Sequence, residues 1–275
     1  MIRLKNKDEV EAIRQGGKIL AKVLKKVTAM VKPGVSSVAL EKVAEADILA
    51  AGGLPAFKNY PMGGGIFFPS TLCISINDEV VHGAAYPERF FQAGDIVDLD
   101  IGMEWPVDPE LRKKLNLPTN KYSKHGGFFT DTCLTVPVAK VTKELKKLLT
   151  VTRDCLYAGI KAARPGNYMN DIAKAIESLA EKHGYGVVRD FVGHGLGHFA
   201  HEEPDVYNFT ISPKSADNFL IKEGMVIAIE PMINLGDYQV EIAENGYTAV
   251  SADGSPCAHF EHTVYISKDG PEIMT

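Results

Sequence analysis

Cysteine is scarce and scattered in this chain. Cys73, Cys133, Cys155 and Cys257 are four of 275 residues, and no two form a CxxC pair. That spacing gives no basis for a disulfide framework or a zinc ribbon, and it suits a reducing compartment. Also missing is any apolar run near the ~20 residues that a membrane-spanning helix needs. Neither sign of charge dominates: 30 basic residues stand against 35 acidic ones. The net charge of -5 offers no electrostatic reason for a nucleic acid or an anionic membrane as partner. The lysine pairs Lys25-Lys26 and Lys146-Lys147 fall in helical patterns and read as solvated faces. Charge, not an apolar stretch, follows Met1-Ile2-Arg3-Leu4-Lys5, so no signal peptide is visible and a cytoplasmic protein is expected.

What is present can build a sizeable core. Hydrophobic residues make up 45% and charged residues 24%, ordinary proportions for a globular protein of one large or two small domains. Apolar residues at Val10, Ile13, Gly17, Leu20, Leu24, Val27 and Met30 predict a helix from about Asp8 to Val31. Asn6 with Glu9 supplies a capping-box start. Lys32-Pro33-Gly34 ends this helix, and a second, from about Ser37 to Ala51, stops at Gly52-Gly53.

The same unit then returns. A helix from about Thr142 to Ala163 precedes Arg164-Pro165-Gly166, and another from about Met169 to His183 stops at Gly184. A shift of 132 residues maps Pro33 onto Pro165, Gly34 onto Gly166, Leu24 onto Leu156, Leu40 onto Ile172 and Gly52 onto Gly184. The expectation is a single domain of two related halves, about 1–138 and 139–275. Strand patterns cover Thr71 to Ile76, Ile96 to Ile101 and Cys133 to Val138, then Val187 to Val192, Met225 to Ile229, Tyr247 to Ser251 and Phe260 to Ile266. A mainly antiparallel sheet covered by helices on one side, an α+β fold, accommodates them.

The chemistry concentrates at strand ends. In Asp95-Ile96-Val97-Asp98-Leu99-Asp100-Ile101, Val97, Leu99 and Ile101 share one face while Asp98 and Asp100 share the other. Two acids on one strand face are costly to bury without a cation, and on their own they read as an exposed face. Glu230 closes the apolar run Met225-Val226-Ile227-Ala228-Ile229 and is followed by Pro231; Glu261 shares a face with His259 and Thr263. His194 and His198 are four apart, but Gly193, Gly195 and Gly197 make a helix there improbable and favour a strand or loop of close approach. His201-Glu202-Glu203 reads equally well as a solvated acidic turn or as part of a site. With Asp131, these residues form an oxygen-rich inventory without thiolate, suited to a pair of divalent metals bridged by carboxylates.

The ordered motifs Asn77-Asp78-Glu79-Val80-Val81-His82-Gly83, Gly94 to Asp100, Thr130-Asp131-Thr132, Gly193 to Pro204, Ile229-Glu230-Pro231-Met232 and Phe260-Glu261-His262-Thr263 span the chain. Together they resemble the type I methionine aminopeptidases, within the creatinase-like "pita-bread" family of metallopeptidases, M24. The resemblance implies removal of an N-terminal methionine from nascent proteins and peptides by attack of a metal-bridged hydroxide. It implies two divalent ions (cobalt, manganese, iron or zinc) held by Asp100, Asp131, His194, Glu230 and Glu261. Asp131 and Glu261 would bridge, and Glu230 would also move the proton. It makes His82 and His201 substrate-facing catalytic histidines, and it places Cys73, Phe68, Tyr60 and Tyr247 around the methionine side chain. A monomer acting on nascent N-termini is expected, with the ribosome left open as a partner.

This chain also departs from the family pattern. Residues 103–127 separate Asp100 from Asp131 where the family has a short hairpin; they carry Trp105 and Asp108, whose following Pro109-Glu110 does not match the aspartate motif. Such a segment could be a lid or a partner surface. Ala200 stands where an aromatic is frequent, and His259 stands where glutamine is frequent. Glycine-rich residues 61–66 lengthen the chain beside Tyr60. The lack of a helical insertion between His201 and Glu230 argues against type II. The competing readings are an X-Pro aminopeptidase or dipeptidase, whose relatives carry an extra N-terminal domain, and a catalytically inactive binding module, which would have lost ligands.

Overall fold

The computed structural model describes residues 2–275. Among the described residues, five helices, a large antiparallel sheet and two small sheets make up the architecture. Helix α1 spans Lys7–Thr28 and α2 Ser37–Ala50; a short α3 covers Pro109–Lys114; α4 spans Lys143–Ala162 and α5 Met169–Lys182. The capping box forms as its sequence implies: Asn6 Oδ1 accepts from the N–H groups of Asp8 and Glu9, and Glu9 Oε2 accepts from Asn6 N–H. Among the described residues, no helix is long and apolar enough to cross a membrane.

Six strands position the chemistry-bearing residues: β1 Leu72–Ile76, β2 Ile96–Trp105, β3 Phe128–Pro137, β4 Gly193–Gly195, β5 Val226–Ile229 and β6 Cys257–Ser267. Across the sheet they run in the order β2, β3, β6, β5, β4, with β1 on the outer edge of β2. Every pairing among them is antiparallel. Alternation in β2 decides which face does what. Val97, Leu99 and Ile101 join Leu20, Leu24, Leu40 and Ile48 in one buried apolar cluster. Leu148, Leu156, Ile160, Ile172 and Ile176 join Ile227, Ile229, Val264 and Ile266 in another. Helices thus cover one face, and the acids are left on the opposite one.

Buried Glu41 on α2 accepts from the N–H groups of Thr71 and Leu72 at 2.7 and 2.9 Å. This fixes the start of β1, and with it Cys73. Gly193 lets β4 lie against β5: a Cβ there would sit 2.3 Å from the Ala228 carbonyl oxygen, which is backbone and cannot yield. Gly193→Ala should therefore cost at least about 2 kcal/mol of stability in urea unfolding.

Two stretches differ from the sequence reading. The strand expected over Val187 to Val192 is only Gly186–Val187, because the chain then turns to bring Phe191 and Val192 to a cavity wall. Within residues 103–127, Met103, Glu104 and Trp105 belong to β2 and pair with Thr130, Phe129 and Phe128, so the excursion begins at Pro106. It is bound to the body of the protein. The buried Arg112 donates through Nη2 to the carbonyls of Pro106 and His125, and Asn120 Nδ2 donates to those of Gly127 and His198. None of residues 106–127 lines that same cavity.

Candidate metal centre

Strand register assembles the acids. Across β2 and β3, Asp98 stands opposite Thr135, Asp100 opposite Cys133 and Gly102 opposite Asp131; across β3 and β6, Cys133 stands opposite Glu261. Paired residues share a face, so Asp98, Asp100, Asp131, Cys133, His259 and Glu261 all project to the side away from the helices. Glu230 directly follows β5, whose last residue, Ile229, pairs with His262. His194 is the middle residue of β4. Its Nδ1 lies 3.0 Å from the Gly195 carbonyl, which accepts the Nδ1 proton and leaves the Nε2 lone pair facing Glu230 Oε1 at 3.5 Å. Ligand atoms of Asp131, His194 and Glu261 lie within 4.8 Å of one another.

The electrostatics of this cluster fit a bound cation. Burial first, then the charges of Asp98 and Glu230, raise the Asp100 carboxyl to about 7 against the relief that His259 brings. Burial and the neighbouring Glu261 and Asp100 push Asp131 well above the usual carboxylate range, and burial with Glu230 and Asp100 does the same to Glu261. Asp100 Oδ1 and Glu261 Oε1 are buried without a hydrogen-bond partner. Divalent ions offset such mutual repulsion and complete those oxygens.

A cavity of about 360 Å³ opens onto this cluster. Asp100, Asp131, His194, Glu230 and Glu261 all line it, as do His82, His201, Tyr60, Phe68 and Cys73. Tyr247 is not in the wall; it stands behind Phe68, edge-on with ring centroids 5.6 Å apart. His82 adopts a left-handed backbone at φ 60°, strained for a residue with a Cβ, while Thr248 Oγ1 donates to its carbonyl at 3.0 Å. Its ring meets Phe191 edge-on. His201 sits exposed at the mouth, its ring 4.3 Å from that of His194, with the Tyr60 hydroxyl 2.9 Å from Nδ1.

Several sequence readings need correction here. Asp98 is 3% exposed, not part of a solvated face. The sequence reading did not place Cys133 at the site: it is buried opposite Asp100 and Glu261, and Asp98, Cys133 and His259 form a second compact group of donor atoms. Glu202 is no solvated turn residue, because it pairs with buried Lys5. His198 meets Glu9 at 3.0 Å and does not join His194, as the glycines around it implied. The sequence reading also missed Phe57, Met62, Phe191 and Met232, which complete the apolar wall. Only Met232 carried a signal, as the last residue of Ile229-Glu230-Pro231-Met232.

Metallopeptidase family M24 matches this chain over residues 11–107 and 122–268, leaving out most of the excursion. The chain belongs to family M24. This metallopeptidase is 38% identical to a methionine aminopeptidase of Clostridium perfringens, with 100% of this chain and 99% of that protein covered. It is 39% identical to one from Aquifex aeolicus, covering 100% and 98%. In three dimensions it matches the methionine aminopeptidase of Thermotoga maritima with a TM-score of 0.86 at 35% identity, covering 100% and 99% of the two chains. A prolidase from Pyrococcus furiosus shares the fold at TM-score 0.70 and 18% identity, but only 65% of that longer chain is covered. The fold is thus the α+β pita-bread architecture, and membership of M24 brings a divalent metal as cofactor.

The raised carboxyls predict how the metal-free M24 protein responds to pH. An acid whose pKa is higher folded than unfolded destabilises the fold as it ionises, whereas the lowered pKa values of His82 and His194, about 4 and about 3 because of burial, act oppositely below 6.5. Above 6.5 those histidines are neutral in both states; the acids decide, joined in the same direction by His259, where burial is outweighed by Asp98 and Glu230 and the pKa lies well above the ordinary value. Metal-free protein should therefore lose melting temperature as pH rises from 6.5 into the mildly alkaline range, while manganese-loaded protein stays flat; thermal unfolding with and without metal checks this.

Proposed function

We propose that this metallopeptidase removes the N-terminal methionine from peptides and nascent chains, using two divalent ions held by Asp100, Asp131, His194, Glu230 and Glu261. The observation that carries the reading is the meeting of five metal-binding side chains with a pocket walled by Phe57, Phe68, Cys73, Phe191 and Met232. A flexible thioether packs well against aromatics and soft sulfur, and the cavity of about 360 Å³ has room for such a side chain. Naming of full-length relatives as methionine aminopeptidases supports the same substrate. The oxygen-rich donor set accepts manganese, iron, cobalt or zinc, with availability deciding among them.

When bound, the metals supply Lewis acidity and a water of lowered pKa. The chain's own groups do the rest. The carboxylate cluster draws the free amine of the substrate to the closed end of the pocket, which limits cleavage to one residue. Glu230 takes the proton of the attacking water and passes it to the leaving amine. His201, held by Tyr60 at Nδ1, presents Nε2 to the scissile carbonyl, and His82 steadies the peptide nitrogen beyond it. Asp131 and Glu261, with Asp100 and His194, would hold the ions. We place this activity in the cytoplasm, on a monomer of one catalytic domain built from duplicated halves, with nascent chains at the ribosome as its natural substrates.

Metal-stripped protein reconstituted with each divalent ion and assayed on Met-Ala-Ser, Met-Leu-Ser and Ala-Pro-Ser tests the reading. Metal-dependent release of methionine from Met-Ala-Ser is expected. Cleavage of Ala-Pro-Ser instead would move the protein to the X-Pro branch, and silence on all three from folded, metal-loaded protein would make it a binding module.

A further inference from the structure

Glu230 is approached on both of its oxygens. Oε1 lies 3.5 Å from His194 Nε2, and Oε2 lies 3.4 Å from His259 Nε2. The far side of the His259 ring faces another acid, with Nδ1 3.5 Å from Asp98 Oδ2. His259 and Asp98 are 2% and 3% exposed, and neither ring nitrogen of His259 has another partner. These are ion-pair contacts rather than short hydrogen bonds. The backbone of His259 is pinned as well: its N–H donates to Thr135 Oγ1 at 2.8 Å, and that hydroxyl donates to the His259 carbonyl at 2.9 Å, with Asp98 Oδ1 3.3 Å away.

Asp98 does not line the cavity and is not among the five proposed ligands. Its Oδ2 faces the His259 ring, while Oδ1 lies by the Thr135 hydroxyl that pins the same residue. The His259 ring presents one nitrogen to each acid, so a single rigid side chain reaches both carboxylates. An amide in its place would donate to one acid and turn its own oxygen toward the other. Asp98 and His259 are therefore a matched pair.

We propose that His259, anchored by Asp98, is a positioning residue: it occupies Oε2 of Glu230 and so reserves Oε1 for the metal side of the site that Glu230 shares with His194. This rests on the reading of Glu230 as ligand and proton carrier. The pair fixes which oxygen of Glu230 works.

The test compares His259→Leu, His259→Gln, Asp98→Asn and the double variant Asp98→Asn/His259→Gln with the parent. Calorimetric titration with manganese, the visible absorption of cobalt-loaded protein, and kcat and KM on Met-Ala-Ser are read for each, after thermal unfolding confirms a folded chain. Loss of a group that orients a ligand costs about 10-fold to 100-fold in metal affinity or activity. That loss is expected in His259→Leu, in kcat more than KM, with a changed cobalt band. His259→Gln should recover part of it. The double variant should recover most, because an asparagine can donate to the amide oxygen that an aspartate repels.

Equal metal affinity and an unchanged cobalt band in His259→Leu would overturn the proposal. So would a double variant no better than His259→Leu, or a third equivalent of metal that Cys133→Ser removes, since that would make Asp98, Cys133 and His259 ligands themselves. Should the parent release no methionine, the functional reading falls, while the titration and the cobalt band still decide the role of His259.

Discussion

Asp131→Ala will bind less metal than the parent and will turn over Met-Ala-Ser at well under about one-hundredth of its rate, since even groups that only orient ligands cost 10-fold to 100-fold when removed. Asp131 is the residue on which the cluster converges. Its carboxyl belongs to the compact group with His194 and Glu261, and its own pKa is pushed up by burial and by Glu261 and Asp100. Its backbone is held by Thr263, whose Oγ1 accepts from Asp131 N–H at 2.9 Å and donates to its carbonyl at 2.7 Å. Removing the carboxyl leaves that scaffold intact, so the variant should fold. Metal content by atomic emission beside the rate distinguishes the cases: normal metal with lost activity would make Asp131 a catalytic group only, and normal activity would remove it from the site.

His201→Ala and His82→Ala should behave in the opposite way, keeping their metal while losing at least about 100-fold in kcat, the usual worth of a proton-transfer or charge-stabilising partner. Neither belongs to the compact group of Asp131, His194 and Glu261. His201 stands at the mouth with Nδ1 engaged by Tyr60, which leaves its other nitrogen to the substrate. His82 holds a left-handed backbone that an ordinary loop residue would abandon, a strain kept by the Thr248 contact. Single-turnover rates on metal-loaded protein check both. Near-normal turnover in either variant removes that histidine from the mechanism.

How much of this was legible in the sequence depends on the kind of signal. Asn6 and Glu9, Pro33-Gly34, Gly52, Pro165-Gly166 and Gly184 mark helix ends by local chemistry, and α1, α2, α4 and α5 begin or end within a few residues of those marks. Asp100, Glu230 and Glu261 were legible because each closes or alternates with an apolar strand, whereas Asp131 and His194 stood out through the motifs Thr130-Asp131-Thr132 and Gly193 to Pro204. What the sequence hid depends on register. Asp98 looked exposed because alternation reveals a shared face but not what covers it. Cys133 carried no site signal, and only its pairing opposite Asp100 and Glu261 sets it beside the acids. Phe57 and Phe191 reach the cavity from irregular segments, where no period announces a direction. His198, at helical spacing from His194, was a decoy that the glycines around it resolved.

The most direct test of the central claim is an anomalous difference map from crystals of the manganese-loaded protein. Two peaks should lie among Asp100, Asp131, His194, Glu230 and Glu261, with Asp131 and Glu261 between them. A single peak, or one seated on Asp98, Cys133 and His259, would contradict the two-metal site.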